Sequence, residues 1–232
     1  MEKKVGLMGL GIMGYPMALN IARGGYPLIV YNRTPKGPGQ LEGTGIEIAP
    51  SPKALAEKAD VIIAMVTGPE AIDHLLWGEE GAAQAFKGEK TFVNMSTVSP
   101  MYTQNIQRKL SPTGVTFIDA PVSGSKKPAE DATLLILAGG PREAVENLSP
   151  LFMTMGKKVI YCGEAGQGSM MKMANNLLLA MMLEGLAETL FFGRIGGLSQ
   201  EALVDVIQSG PLNCPIFNMK IPMMDTGRYD PS

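Results

Sequence analysis

The sequence of 232 residues predicts a doubly wound α/β fold, a parallel sheet with helices on both faces, followed by an all-α segment. Two observations predict it. Short apolar runs alternate with segments of helical period as far as about Gly163, and beyond that point strand signals stop. From Gly168 to Ile195 the chain then reads as one long helix, apolar nearly all round at its centre, of a kind that other helices must bury.

Taken in order, Val5 to Met8 is a short apolar run ended by Gly9. Gly14 to Arg23 has helical spacing, with Met17, Ala18 and Ile21 on one side, and Gly24-Gly25 stops it. Leu28 to Tyr31 is a second buried-type strand. Ser51 opens a helix to Lys58 with Pro52 at its first position, where a missing N–H is harmless. Val61 to Val66 and Thr91 to Met95 are further strands; a helix opens at Ser99-Pro100, and strands follow at Val115 to Asp119, Leu134 to Leu137 and Val159 to Tyr161. Such alternation implies parallel strands joined by crossover helices. After the long helix one more clear helix is expected at Ser199 to Ser209, and then a stretch broken by Pro211, Pro215 and Pro222.

Composition narrows the classes of function. With 45% hydrophobic and 18% charged residues the chain can bury a core, and a formal net charge of -2 gives no basic field to gather nucleic acid or an anionic membrane, so a small-molecule partner is expected. Two cysteines, Cys162 and Cys214, make no disulfide framework. The start, Met1 to Val5, runs straight into a strand without a cleavage-type signal, and the apolar stretch Leu177 to Leu183 is short and flanked by Lys172, Asn175, Asn176, Glu184 and Glu188. A cytoplasmic protein without a membrane span is therefore expected. His74 is the sole histidine, so no metal site is expected around it.

Gly9-Leu10-Gly11-Ile12-Met13-Gly14 follows a buried strand and opens a helix. In that context G-x-G-x-x-G is a dinucleotide fingerprint of the Rossmann type. The first glycine permits the tight turn, the second admits the pyrophosphate, the third lets helix and strand pack closely, and the helix dipole meets the anion. At the end of the second strand, Tyr31-Asn32-Arg33-Thr34 has no acid to repel a 2′-phosphate, while Asn32, Arg33 and Thr34 all carry donors, so NADP (as NADPH) is the expected cofactor. Met65 and Val66, at the end of the next strand, are assigned to the same cofactor.

Three more stretches point to chemistry. Asn94-Met95-Ser96-Thr97 puts small hydroxyls at the carboxyl edge of the sheet, and Asp119-Ala120-Pro121-Val122-Ser123-Gly124-Ser125 is a strand end entering a small-residue loop suited to a carboxylate. Lys172 and Asn176, four apart, share a helix face. Alone, Lys172 reads as a surface charge, and the methionines as adaptable packing.

These stretches, with Gly14-Tyr15-Pro16-Met17-Ala18-Leu19-Asn20, resemble the β-hydroxyacid dehydrogenase family from about Lys4 to the end of the chain. Within it, Val122 to Asp131 is most similar to NADPH-dependent glyoxylate and succinic semialdehyde reductases; relatives that oxidise 3-hydroxyisobutyrate usually have a second glycine where Ser125 stands. The resemblance implies that Lys172 is catalytic, that Ser123, Gly124 and Asn176 hold substrate, with Ser125 beside them, and that Thr97 lies near both nicotinamide and substrate. A lysine ammonium suits the reduction of an aldehyde, because it stabilises charge growing on the carbonyl oxygen and then delivers the proton. The resemblance further implies more helices than the sequence holds. A dinucleotide-binding domain over 1–163 is thus expected to be followed by an incomplete helical domain over 164–232, in a homo-oligomer packed through the long helix. The competing readings are a 3-hydroxyisobutyrate or tartronate semialdehyde enzyme, an imine reductase, against which Lys172 counts, and a dinucleotide-binding module without turnover.

Overall fold

The computed structural model describes residues 3–34, 41 and 44–227. It divides into two compact units, Met1–Met173 and Ala174–Ser232, and helix Gln167–Ile195 contributes to both.

The first unit is built on one sheet. Its strands are β1 (Val5–Met8), β2 (Leu28–Tyr31), β3 (Glu47–Ile48), β4 (Val61–Ala64), β5 (Thr91–Asn94), β6 (Thr116–Asp119), β7 (Val122–Ser123), β8 (Leu134–Gly139) and β9 (Gly156–Gly163). The order is β3-β2-β1-β4-β5-β6-β8-β7, with β9 also paired to β8. Strands β1 to β6 are parallel throughout. The chain runs outward from β1 to β3 and then returns to lay β4 on the other side of β1. That reversal opens a crevice at the carboxyl ends of β1 and β4, where open α/β sheets bind ligands.

Both faces of the sheet are covered, as near-continuous apolar strands require. On one face Val5, Leu7, Val93 and Ile118 pack with Met17 and Ile21 of α1 (Gly14–Arg23) and with Leu148 and Phe152 of α6 (Arg142–Phe152). On the other, Ile62, Phe92 and Phe117 pack with Leu55 of α2 (Pro52–Lys58), Ile72 and Leu76 of α3 (Gly68–Trp77) and Ile106 and Leu110 of α4 (Pro100–Leu110). Ser51 and Ser99 cap α2 and α4 as their sequence context predicts, accepting from the N–H of Ala54 and Tyr102, each at 3.2 Å.

The structure departs from the sequence expectations at several points. Strand β4 ends at Ala64, leaving Met65 and Val66 in the loop. Strand β8 runs antiparallel to β6 and β7, so the sheet carries an antiparallel edge. Strands β3 and β7 were not expected, since two residues each are too few to make a periodic signal. The first compact unit runs on to Met173, because the start of the long helix is hydrogen-bonded to the end of β6.

In the second unit the long helix α7 (Gln167–Ile195) is joined by α8 (Gln200–Ser209) and α9 (Pro215–Thr226). The prolines at 215 and 222 do not break this last segment. Pro215 occupies the first turn, where its missing N–H has no helical partner to lose, and Pro222 sits inside. The core is small: Leu186, Ile207 and Ile221 are buried. Along α7 large apolar side chains such as Leu177, Met181 and Phe192 stay exposed, so α8 and α9 cover only part of the apolar circumference that its sequence asks to be buried. By length and composition alone α7 is apolar enough to cross a membrane.

Candidate active site

The glycine loop after β1 shows why each glycine is needed. Gly9 has φ +101°, and a Cβ there would stand 2.3 Å from the Met65 carbonyl oxygen and 2.6 Å from Val66 Cγ1, so Met65 and Val66 wall the turn. At Gly14 a Cβ would meet the Gly9 carbonyl at 1.8 Å, which is how closely α1 packs on the loop. At Gly11 a Cβ would meet nothing within 4 Å. The second glycine thus borders open space while the first and third are filled by the protein's own backbone. Helix α1, unlike α2 and α4, has no side-chain cap at Met13, and among the described residues nothing accepts from the N–H of Gly11, Ile12 or Met13. Uncapped N–H groups at the positive end of a helix beside an open glycine fit a pyrophosphate. A groove of about 600 Å³ opens at Gly11 and Ile12, with Tyr15, Arg23 and Lys126 on its walls.

At the end of β2 the structure shows what each candidate donor already does. The Asn32 amide is already engaged: Oδ1 accepts from Leu10 N at 3.0 Å, and Nδ2 donates to the Thr34 carbonyl at 2.9 Å and to its hydroxyl at 3.1 Å. Asn32 therefore ties the glycine loop to the β2 loop, and its donor is not free for a 2′-phosphate. Arg33 is exposed and pairs with no acid among the described residues. The Thr34 hydroxyl, accepting from Asn32, keeps its own proton to donate.

Beyond β5, Ser96 is buried, and its hydroxyl accepts from Val66 N at 2.9 Å, joining this loop to the one after β4. Thr97, next in sequence, is exposed. Asn94 is buried, with Oδ1 accepting from Ser96 N at 3.1 Å, while its Nδ2 has no partner among the described residues. Ser123 closes β7. Gly124 follows at φ +142°, with room for a Cβ closed off by Leu134 and Pro128, and Ser125 precedes the short helix α5 (Lys126–Glu130). Lys126 and Lys127 lean on Glu130 and Asp131, at 3.8 and 2.7 Å, so much of their positive charge is locally offset.

Lys172 stands on α7 in the first unit, half-buried, and among the described residues no acid pairs with it. Burial lowers its pKa from the usual lysine value. Asn176 lies four residues further on, also half-buried, whereas residues 173 to 175 between them are exposed. No hydrogen bond or ion pair joins Lys172 to Ser123, Ser125 or Thr97 among the described residues; what the structure joins is Gly9 to Met65 and Val66, Leu10 to Asn32, and Val66 to the stretch that ends at Thr97.

One residue that the sequence reading quoted but gave no role is Asp119. It is fully buried at the end of β6, its Oδ1 accepting from Gly166 N at 2.8 Å and its Oδ2 from Ser169 N at 2.7 Å. Burial pushes its carboxyl up to about 6, against the pull of those donors. An acid closing an apolar strand, Thr116 to Asp119, was the available signal. Its partners lie 47 and 50 residues away and gave none.

The reversed strand order, the two filled glycines around an open one and the uncapped α1 define a pyridine-nucleotide-binding protein of the Rossmann class. Residues 4–163 match the NAD binding domain of 6-phosphogluconate dehydrogenase, and residues 166–232 match the NAD-binding domain of NADP-dependent 3-hydroxyisobutyrate dehydrogenase. Among curated relatives, the chloroplastic glyoxylate/succinic semialdehyde reductase 2 of Arabidopsis thaliana is 36% identical over 97% of this chain and 63% of its own length. Glyoxylate/succinic semialdehyde reductase 1 of the same plant is 34% identical over 99% of this chain and 79% of its own. The solved structure of Mycobacterium tuberculosis 3-hydroxyisobutyrate dehydrogenase with L-serine superposes with a TM-score of 0.83 at 31% identity, covering 92% of this chain and 72% of that one. The chain belongs to the β-hydroxyacid dehydrogenase family.

Proposed function

We propose that the protein reduces short aldehyde acids, glyoxylate and succinic semialdehyde, to their hydroxy acids with NADPH, Lys172 donating the proton. The observation that carries this reading is the half-buried ammonium of Lys172 without a counter-charge among the described residues. Partial desolvation strengthens its attraction to charge developing on a carbonyl oxygen, and a lowered pKa makes it a readier donor at neutral pH. A bound reduced nicotinamide supplies the hydride that the carbonyl carbon receives. Lys172 transfers a proton from Nζ to the carbonyl oxygen and is reprotonated from solvent. Ser123, Gly124 and Ser125 receive the substrate carboxylate, Asn176 orients the substrate or the lysine, and Thr97 borders the nicotinamide. Preference for NADPH rests on Arg33 and Thr34, with no acid between Tyr31 and Thr34.

The two plant reductases support this choice of substrate class. The second reading is a 3-hydroxyisobutyrate or tartronate semialdehyde enzyme, and the mycobacterial structure favours the 3-hydroxyisobutyrate one. Steady-state rates separate the two. The first predicts that kcat/KM with NADPH for glyoxylate or succinic semialdehyde exceeds that for tartronate semialdehyde, and exceeds that for oxidation of 3-hydroxyisobutyrate with NADP. The reverse order establishes the second. The protein acts as a homo-oligomer in the cytoplasm on this reading.

A further inference from the structure

Helix α7 starts without an acid in its first turn and is capped from outside, by a strand. The Asp119 carboxylate spans that start, one oxygen on Gly166 N and the other on Ser169 N. The Ser169 hydroxyl is hydrogen-bonded to that of Thr103 of α4, at 2.9 Å, which ties the same turn to a second helix. All of these side chains are buried. The junction has no slack: a Cβ on Gly139, at the end of β8, would stand 2.6 Å from Asp119 Oδ1 and 2.8 Å from Gly168 N, and one on Gly168 would stand 2.3 Å from the Leu137 carbonyl. Strand ends and helix start meet backbone to backbone.

Lys172 follows Ser169 by three residues, one turn along the same helix, on the neighbouring face. We propose that Asp119 is the positioning residue for Lys172, fixing the first turn of α7 and with it the place from which the ammonium meets the substrate. The inference rests on the reading of Lys172 as proton donor. A carboxylate suits the task because both its oxygens accept, as the two N–H groups require. An asparagine satisfies one of them and sets its own N–H against the other. The turn must then shift, and misplacement on the order of 1 Å at a reacting group lowers rates by about a hundredfold. Cys162 of β9 has its thiol pKa raised, by burial first and by the charge of Asp119 second.

The test compares Asp119→Asn, Ser169→Ala, Lys172→Ala and the double variants with Lys172→Ala, reading kcat with glyoxylate and the dissociation constant of NADPH. Asp119→Asn is expected to lower kcat by about tenfold or more and Ser169→Ala by about threefold, each with NADPH affinity within about twofold of wild type. In the Lys172→Ala background neither change lowers the residual rate further, because the group being positioned is gone. If Asp119→Asn does not fold, Ser169→Ala decides by the same two readings. Loss of rate that persists in the Lys172→Ala background, or a folded variant with unchanged kcat, overturns the positioning role. Wild-type kcat in Lys172→Ala alone overturns the reading of the lysine on which it rests.

Discussion

Arg33 and Asn32 are neighbours in sequence, yet only one of them has a free donor. Asn32 is held by Leu10 and Thr34, so what the described residues of the β2 loop offer an anion is the exposed guanidinium and the Thr34 hydroxyl. A charge-assisted hydrogen bond contributes roughly 1.5 to 3 kcal/mol. Arg33→Ala is therefore expected to raise KM for NADPH by about ten- to a hundredfold and to leave KM for NADH within about twofold, checked by steady-state kinetics with both cofactors. Equal changes for the two would remove Arg33 from cofactor choice. The guanidinium was legible in the sequence from its place after an apolar strand. The engagement of Asn32 was not, because its acceptor role depends on a glycine loop 22 residues earlier.

At the scale of elements, the junction of β6 with α7 makes stability depend on pH in an unusual direction for an acid. The folded state holds the Asp119 proton more tightly than an unfolded chain does, since its pKa is raised from 3.8 to about 6. Between those values the folded state binds more protons than the unfolded one, so this contribution to stability is fully present below about pH 4 and is lost as pH rises through 6. The rise corresponds to about 3 kcal/mol. The difference in unfolding free energy between wild type and Asp119→Asn, measured by urea denaturation, should fall by that order from pH 4 to pH 7. A difference that does not change with pH would mean that the carboxyl titrates normally. The four-residue and longer strands of the first unit announce themselves through apolar runs, as at Val61, and α2 and α4 through their Ser-Pro starts at Ser51 and Ser99, whereas α5 and α6 lack such a start and were not read. The two-residue strands β3 and β7 exist only through pairing with distant partners, and α9 was hidden by prolines that a helix start and a single interior position tolerate.

For the whole molecule, the dinucleotide domain was legible because its signals are local: a strand, three spaced glycines and a helix within a few residues. The candidate active site was legible only as separate stretches, since Lys172, Ser123 and Thr97 come from different elements and no periodicity relates them. The resemblance to a family supplied the common role proposed for them. The sheet, the glycine loop and the anchored start of α7 all serve one claim, that Lys172 protonates an aldehyde acid reduced with NADPH.

NADPH oxidation with glyoxylate and with succinic semialdehyde, followed for wild type and Lys172→Ala, tests that claim most directly. The account predicts turnover in the wild type and a loss of about a hundredfold or more in kcat for the variant, with NADPH binding by fluorescence retained in both. Turnover undiminished by loss of the lysine, or NADPH binding with no turnover on either aldehyde, would contradict it.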